Sequence, residues 1–270
     1  MQTRFLAVLA AVFIASAWAP AVAIASPEPP AELKPVFAKI DAKANAGKKT
    51  EADFADELKA LDALIAKHKG ETNEEAALIL FGKAAFYNDI VDDDAKADAV
   101  CAQIIRDFPD TKIGRLLKLK DEGKKLAATL VAGAKFPEFA GQDLAGKPVA
   151  LSSCKGKVVL IEFWDTDCGP CVAEMPNVLK TYEKYHPNGF DIIGVSLDAD
   201  KAKLERFVTD HKMAWPQLFD GQGFDGGLPV KFGVSAIPIT YLLDGKGEII
   251  ARELRGDGLE KAVATAIAKP

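Results

Sequence analysis

Histidine and cysteine are scarce in this chain of 270 residues, which has three of the first and four of the second. A zinc site needs about four such ligands, usually as two clusters, and Cys168 and Cys171 are the only closely spaced pair. The sequence therefore predicts no metal site. Blocks of basic residues are also missing, and 34 basic against 39 acidic residues give a net charge of -5. We therefore expect no nucleic-acid partner.

Long apolar runs are missing after the first 25 residues, so we expect no later segment to cross a membrane. At the N-terminus, Arg4 precedes the apolar run FLAVLAAVFIASAW. Alanine then occupies every second position from Ala21 to Ala25. This run is shorter than the roughly 20 residues of a membrane span, which disfavours an uncleaved anchor. The pattern predicts a signal peptide over residues 1–25, cleaved after Ala23 or Ala25, and hence export to the periplasm or cell envelope.

Residues 26–133 have a helical period throughout and predict an all-α domain. Apolar residues recur three and four positions apart, and the nearly apolar stretch AALILFGKAAFYNDI is expected in the middle of a bundle. The segment KAAFYNDIVDDDAKADAVCAQIIRDFPDT resembles a tetratricopeptide helical hairpin. No second copy follows at a spacing of about 34 residues, so a repeat-like domain and an ordinary bundle both stay open.

Polar residues before the apolar faces predict where these helices begin. Thr50 with Asp53, and Thr72 with Glu75, have the spacing of a capping box. Asp94 is predicted to cap the helix that follows the apolar one.

The hydrophobic period changes after residue 133. Segments rich in valine and isoleucine predict strands, namely KPVALS, VVLIEFW, FDIIGVSL, ITYLL and EIIAREL. Helical patterns fall between or after them, at 171–185, 201–211, 228–232 and 259–268. This order predicts an α/β domain over residues 134–270, with a mixed sheet covered by helices on both faces.

The motif C-x-x-C follows the strand VVLIEFW, with Cys168 where the next helix should begin. Unpaired N–H groups and the helix dipole at that position favour a thiolate. Pro170 suits a first helical turn, and Gly169 leaves room for a partner chain. Cys171 lies one turn into the helix, where it can attack a mixed disulfide on Cys168. We therefore predict a redox-active disulfide that needs no cofactor.

The segments VVLIEFWDTDCGPCVAEMP and SAIPITYLLDGKGEI resemble the TlpA/ResA-like disulfide reductases of bacterial envelopes, which have a thioredoxin fold. The resemblance covers residues 135–269. It implies that Cys168 is the nucleophile, that Cys171 is the resolving thiol, and that Ile237 and Pro238 form a cis-proline loop that binds the partner chain. It also implies disulfide-bearing envelope proteins as substrates and a membrane thiol transporter of the DsbD/CcdA type as electron donor.

Glu162 occupies the place that the family gives to a buried acid under the cysteine pair. A carboxyl group inside an apolar strand should have a raised pKa and can take the proton of Cys171. The alternative is a strand residue that faces solvent, which the alternation with Leu160 and Trp164 disfavours. We place Trp164 in the core with one face at the substrate site. Glu174 matches a glutamate near the disulfide in relatives, although an ordinary charge in the first turns of a helix fits equally well.

Asp167 departs from the family, which usually has an aromatic residue at this position. A carboxylate beside Cys168 disfavours the thiolate. A thiol that is harder to ionise makes the dithiol less favoured over the disulfide, so we predict that Asp167 makes the pair more reducing.

The sequence thus predicts an exported thiol–disulfide oxidoreductase that reduces disulfides through a mixed-disulfide intermediate. Two alternatives stay open: an oxidase that donates its disulfide, and an interaction protein whose helical domain is the working surface. A peroxidase of the peroxiredoxin type is disfavoured, because such enzymes use a single cysteine rather than C-x-x-C. Cys101 and Cys154 either pair in the oxidising envelope or are small buried apolar residues.

Overall fold

A computed structural model describes residues 30–268 of the chain. The signal peptide predicted for residues 1–25, with its cleavage positions, lies outside the described residues. The chain divides into two compact units, Met1–Lys120 and Asp121–Pro270. This division falls inside a long helix, and the domain boundary predicted after residue 133 stays a prediction. Between residues 30 and 268, no helix has both the length and the apolar character that crossing a membrane requires.

The chain before the sheet is helical, as the 3.6-residue period predicts. The helices are α1 (Lys34–Asn45), α2 (Ala55–Lys67), α3 (Glu74–Phe86), α4 (Asp94–Asp107) and α5 (Lys112–Thr129). A short 3₁₀ turn, Glu51–Phe54, leads into α2, and a π-helical turn, Tyr87–Val91, follows α3.

Helix α3 is apolar on more than one face because it lies between two hydrophobic clusters of the first unit. Ile79 and Phe86 pack in one cluster with residues of α1 and α2, among them Ile40 and Leu61. Ala77 and Leu80 pack in the other with Ile104 and Ile113. The predicted central position of this helix is confirmed.

The predicted helix caps are right in one case and shifted in two. Thr50 and Asp53 form the capping box. The prediction of a box at Thr72 is wrong, because Asn73 caps α3 and accepts a hydrogen bond from the Ala76 N–H at 2.9 Å. Asp93, not its neighbour Asp94, caps α4. Adjacent polar residues compete for the cap, and the sequence alone does not choose between them.

The second unit contains a five-stranded sheet in the order β5-β4-β3-β6-β7 and a separate hairpin of β1 and β2. The strands are β1 (Ala140–Gln142), β2 (Pro148–Ala150), β3 (Val158–Trp164), β4 (Phe190–Ser196), β5 (Gln217–Phe219), β6 (Ile239–Leu243) and β7 (Ile249–Arg252). β3 is parallel to β4 and antiparallel to β6. The helices are α6 (Gly169–Tyr185), α7 (Lys201–Asp210), α8 (Gly227–Lys231) and α9 (Asp257–Ile267).

Both faces of the sheet are buried, so β3 is apolar at nearly every position. Val158, Leu160 and Trp164 face the cluster that α6, α7 and α9 cover. Ile161 and Phe163 face the cluster that the last turns of α5, the α8 region and the segment around Phe136 cover. The predicted fold class, a thioredoxin-like α/β domain with a mixed sheet preceded by a helical region, is confirmed.

Candidate active site

The two cysteines of the motif form a disulfide at the start of α6, with their Cα atoms 5.2 Å apart. Cys168 is the N-cap residue of this helix, and its Sγ accepts a hydrogen bond from the Cys171 N–H at 3.2 Å. Cys168 is partly exposed, whereas Cys171 is completely buried in the cluster under the helix. A partner molecule can therefore reach the first sulfur and not the second.

A buried aspartate holds the turn between β3 and Cys168. The Asp198 carboxylate accepts hydrogen bonds from the N–H and the hydroxyl of Thr166 and, at 2.8 Å, from the hydroxyl of Ser196. Its side chain is only 3% exposed. Sequence reasoning missed this residue. The signal was its place just after β4, since parallel strands end at the same sheet edge.

Glu162 lies on the buried face of β3 that α6 covers, and it has no exposed surface. Neither of its carboxyl oxygens has a hydrogen-bond partner among residues 30–268. Burial raises the pKa of Glu162 from 4.5 to about 7; the positive charge of Arg255 opposes this rise and the negative charge of Glu174 adds to it. The carboxyl group can therefore gain or lose a proton near neutral pH.

The Ile237–Pro238 peptide bond is cis, as the family resemblance implies. Arg255 holds this loop, because its Nη2 donates a hydrogen bond to the Pro238 carbonyl oxygen at 2.6 Å. The neighbouring Ser235 and Ala236 are exposed, so the chain next to the cis-proline is accessible to solvent. Nothing in the local sequence pointed to Arg255, which precedes α9 and is separated from the loop by two strands.

Asp167 is exposed, with 82% of its side chain accessible, and it forms an ion pair with Lys203 of α7. Lys203 lies 36 residues after Asp167, so the sequence does not show that the two side chains meet. Because the positive charge of Lys203 offsets the carboxylate, we expect the effect of Asp167 on the Cys168 thiolate to be smaller than that of an isolated charge.

Trp164 has no exposed surface, and this corrects its assignment to the substrate-binding set. Its indole Nε1 donates a hydrogen bond to Gln217 Oε1 at 2.9 Å, and its ring packs against Phe207. The side chain is a core residue that cannot touch a partner in this conformation. Gly169 and Pro170, in contrast, are exposed beside Cys168, and a Cβ atom at Gly169 would meet no neighbouring atom within 4 Å.

Glu174 ties α6 to the start of α9. Its Oε1 accepts a hydrogen bond from the Gly256 N–H at 2.6 Å and another from Asn177 Nδ2 at 3.3 Å. Its negative charge also contributes to the raised pKa of Glu162.

Cys154 is a free thiol in this structure, half-buried in the short 3₁₀ turn after β2. Burial raises the pKa of Cys154, and its Sγ lies 3.9 Å from the Ser153 hydroxyl. It therefore lacks the environment that activates a cysteine nucleophile. Across residues 30–268, no group of three histidine, cysteine, aspartate or glutamate side chains is placed to hold a metal ion.

The chain matches the Redoxin family over residues 131–267. It is 35% identical over 126 residues to the thiol-disulfide oxidoreductase ResA of Bacillus thuringiensis subsp. konkukian (strain 97-27), a match that covers 46% of this chain and 70% of the relative. ResA of Geobacillus kaustophilus (strain HTA426) is 33% identical over 120 residues, covering 44% of this chain and 67% of the relative. The crystal structure of the thioredoxin domain of a thiol-disulfide oxidoreductase from Bacteroides vulgatus aligns with a TM-score of 0.48 and 34% identity, over 51% of this chain and 99% of that one.

The matched residues contain β3, the C-x-x-C turn, Glu162 and the cis-proline loop. The family match extends over more than half of the chain, and the first ResA relative is covered over more than two thirds of its length. The chain belongs to the Redoxin family, and within the thioredoxin superfamily it is a TlpA/ResA-like thiol–disulfide oxidoreductase.

Proposed function

We propose that this protein is exported to the cell envelope and reduces disulfides of other envelope proteins. The observation that carries the proposal is the asymmetry of the cysteine pair: Cys168 is accessible at a helix N-terminus, and Cys171 is buried on the sheet face that carries Glu162. This arrangement suits one attacking and one resolving sulfur.

In the proposed reaction, the Cys168 thiolate attacks one sulfur of the substrate disulfide. A Cys168–substrate disulfide forms, and the other substrate sulfur leaves as a thiolate. Cys171 then transfers its proton to the Glu162 carboxylate and attacks the Cys168 sulfur. The bond to the substrate breaks, the second substrate thiolate leaves, and the Cys168–Cys171 disulfide forms. Two electrons have passed from the enzyme to the substrate.

The proposed substrate-binding surface consists of the exposed residues beside Cys168 and the cis-proline loop. Gly169 and Pro170 leave the first sulfur uncovered, and the backbone of Ile237 and Pro238 is fixed by Arg255. An extended segment of a partner can pair with such a backbone regardless of its side chains. This favours protein substrates of varied sequence.

Export is supported by the charged start, apolar run and alternating alanines of residues 1–25. An enzyme that reduces substrates outside the cytoplasm needs a source of electrons, because its own oxidation leaves a disulfide. We propose a membrane thiol transporter of the DsbD/CcdA type as that source.

The test is a Cys171→Ala variant expressed with its N-terminal segment, so that mixed disulfides on Cys168 are not resolved. We expect protein adducts on non-reducing gels of envelope extracts, which disappear on reduction and are missing in the Cys168→Ser/Cys171→Ala control. An adduct-free Cys171→Ala protein in the envelope would refute reduction through this intermediate.

The direction of electron flow is tested by equilibrating the protein with glutathione buffers. A reductase should have a potential closer to that of thioredoxin, about -270 mV, than to that of the oxidant DsbA, about -120 mV. A value near the oxidant would instead support the disulfide-donor alternative.

A further inference from the structure

A row of buried polar residues crosses the sheet on the face that carries Glu162. Gln217 of β5 is in register with Gly194 of β4, Gly194 with Glu162 of β3, and Glu162 with Thr240 of β6. The three side chains are at most 4% exposed. Side chains of adjacent residues in such a row lie about 5 Å apart at Cβ. Nearly everything else on this face is apolar, so the row is an exception that needs a reason.

Gly194 lets the longest side chain of the row reach across its strand. A Cβ atom at this position would lie 2.0 Å from Gln217 Oε1 and 2.8 Å from Gln217 Nε2. The Gln217 amide therefore lies directly over the backbone of β4. From β5 it has crossed towards β3, the strand of Glu162.

The orientation of the Gln217 amide follows from its bond to the indole. Trp164 Nε1 can only donate, so the amide oxygen faces it, at 2.9 Å. Gln217 Nε2 is then left with N–H groups that have no acceptor among the described residues. The Thr240 hydroxyl and both Glu162 oxygens also have no hydrogen-bond partner among residues 30–268. Donors thus flank a buried carboxyl group on both sides of β3.

The structure contains no hydrogen bond between these groups. We propose that Gln217 and Thr240 are positioning residues whose side chains turn to donate hydrogen bonds to the Glu162 carboxylate when it is ionised, and so set the pH at which it accepts the proton of Cys171. This inference rests on the proposed function, since it assigns roles within the same proton transfer. Donors stabilise the charged form of a carboxyl group. The charged groups that act on Glu162 from the neighbouring elements are Arg255, before α9, and Glu174 of α6.

The direct test is a carbonyl NMR titration of Glu162 in the oxidised protein, in which neither active-site thiol titrates. The signal is assigned by its loss in Glu162→Gln. Gln217→Met keeps the length of the side chain and removes the donor, so we expect the pKa of Glu162 to rise by about one unit. Thr240→Val should raise it by less. Gly194→Ala, which displaces the amide, should act in the same direction as Gln217→Met.

The matched control is Tyr241→Phe. Tyr241 follows Thr240 in the chain, is completely buried, and has a hydroxyl without a hydrogen-bond partner among residues 30–268. Its side chain belongs to the cluster on the opposite face of the sheet. Removing this hydroxyl should leave the Glu162 titration unchanged. A shift as large as that of Thr240→Val would overturn the inference, because it would trace the effect to general changes in packing.

A kinetic readout separates positioning from support of the core. Reduced protein is mixed with an aromatic disulfide reagent whose thiolate is coloured, and release of the second thiolate reports the attack of Cys171 on Cys168. In Gln217→Met, the pH profile of this step should move up by about one unit, so that the rate below that pKa falls by up to about tenfold. Trp164→Phe leaves the amide donor in place and should shift the profile less.

The inference is overturned if folded Gln217→Met and Thr240→Val proteins titrate like the wild type. If Gln217→Met does not fold, the comparison of Thr240→Val with Tyr241→Phe decides. Failure of the proposed function would give a different result, namely an absence of envelope adducts. The titration of Glu162 uses the oxidised protein alone, so it tests the positioning role even in that case.

Discussion

Each of the two units buries a glutamate, and the two are handled in opposite ways. In the helical unit, Glu57 of α2 is 5% exposed and is paired with Lys43 of α1, with Nζ and Oε2 2.6 Å apart. The hydrogen bond from Lys43 is the main reason that the pKa of Glu57 is lowered. In the redox unit, Glu162 has no such partner and its pKa is raised to about 7.

The comparison separates a carboxylate that supports a fold from one that suits chemistry. A paired buried carboxylate keeps its charge at every physiological pH, so it can hold two helices together and do nothing else. A buried carboxyl group without a cation changes charge near pH 7, at a cost in stability. Burial alone therefore does not indicate a carboxyl group suited to proton transfer, whereas burial without an ion-paired cation does.

The largest expected effect is on thiol–disulfide exchange, which we assign to Cys168 of the redox unit and not to the helical unit. We expect Cys168→Ser to lower the rate of thiol–disulfide exchange by at least about a thousandfold, because serine is not ionised at neutral pH. Cys154→Ser is the matched control, since it removes a half-buried free thiol from the same unit, and it should keep the wild-type rate. Exchange with a small disulfide reagent measures both, and residual activity in Cys168→Ser would place the chemistry elsewhere.

Glu162→Gln should stabilise the oxidised protein at alkaline pH. With a folded pKa of about 7 against an ordinary value of 4.5, the favourable contribution of Glu162 is present below about pH 4.5 and is lost as the pH rises through 7. The variant should therefore gain up to about 3 kcal/mol over wild type near pH 8 and little near pH 4.

Urea unfolding followed by tryptophan fluorescence measures this change in the redox unit, where Trp164 and Trp215 lie buried. If the difference between variant and wild type does not depend on pH, Glu162 is not a buried titrating group.

Glu57→Gln should have the opposite sign and a smaller size. Because the pKa of Glu57 is lowered, its contribution is present above about pH 4.5 and is lost as the pH falls through its folded pKa. We expect a loss of about 1 kcal/mol at neutral pH, discounted because Lys43 is 36% exposed. Helical circular dichroism during unfolding detects the change. An equal effect at pH 3 and pH 7 would assign it to packing rather than to charge.

The smallest effect should come from the exposed pair of Asp167 and Lys203. Lys203→Met leaves the carboxylate next to Cys168 without its cation, which should make the couple slightly more reducing. Asp167→Asn should cancel this shift in the double variant. Redox titration against glutathione measures the potentials of the wild type, Lys203→Met and the double variant. A Lys203→Met potential that is more oxidising than that of the wild type would contradict the role assigned to Asp167.

The sequence was enough to predict those elements and site residues whose structure depends on neighbours in the chain. β3 coincides with the predicted segment VVLIEFW, since a strand buried on both faces is a continuous apolar run. β1 and β5 were missed because neither of these three-residue strands contains valine or isoleucine, the residues from which the other strands were predicted. The cysteine pair and Glu162 were found because motif and strand adjoin in the chain.

The rest of the site depends on contacts that only the folded chain brings together. Asp198 meets Thr166, and Gln217 meets Trp164, across gaps of 32 and 53 residues. Neither contact leaves a local pattern, because the strands that create it are placed by the whole sheet. For the same reason, Lys203 could not be paired with Asp167 in advance.

The unequal exposure of the two sulfurs has a kinetic consequence. Since Cys171 is sealed in the core, a reductant that recharges the enzyme and an oxidised protein that discharges it must both meet the same atom, Cys168 Sγ. Under the proposed function, both partners also bind the same strip of backbone beside the cis-proline. We therefore expect that the two partners are not bound together, that turnover alternates between them, and that a high concentration of either one inhibits the half-reaction of the other.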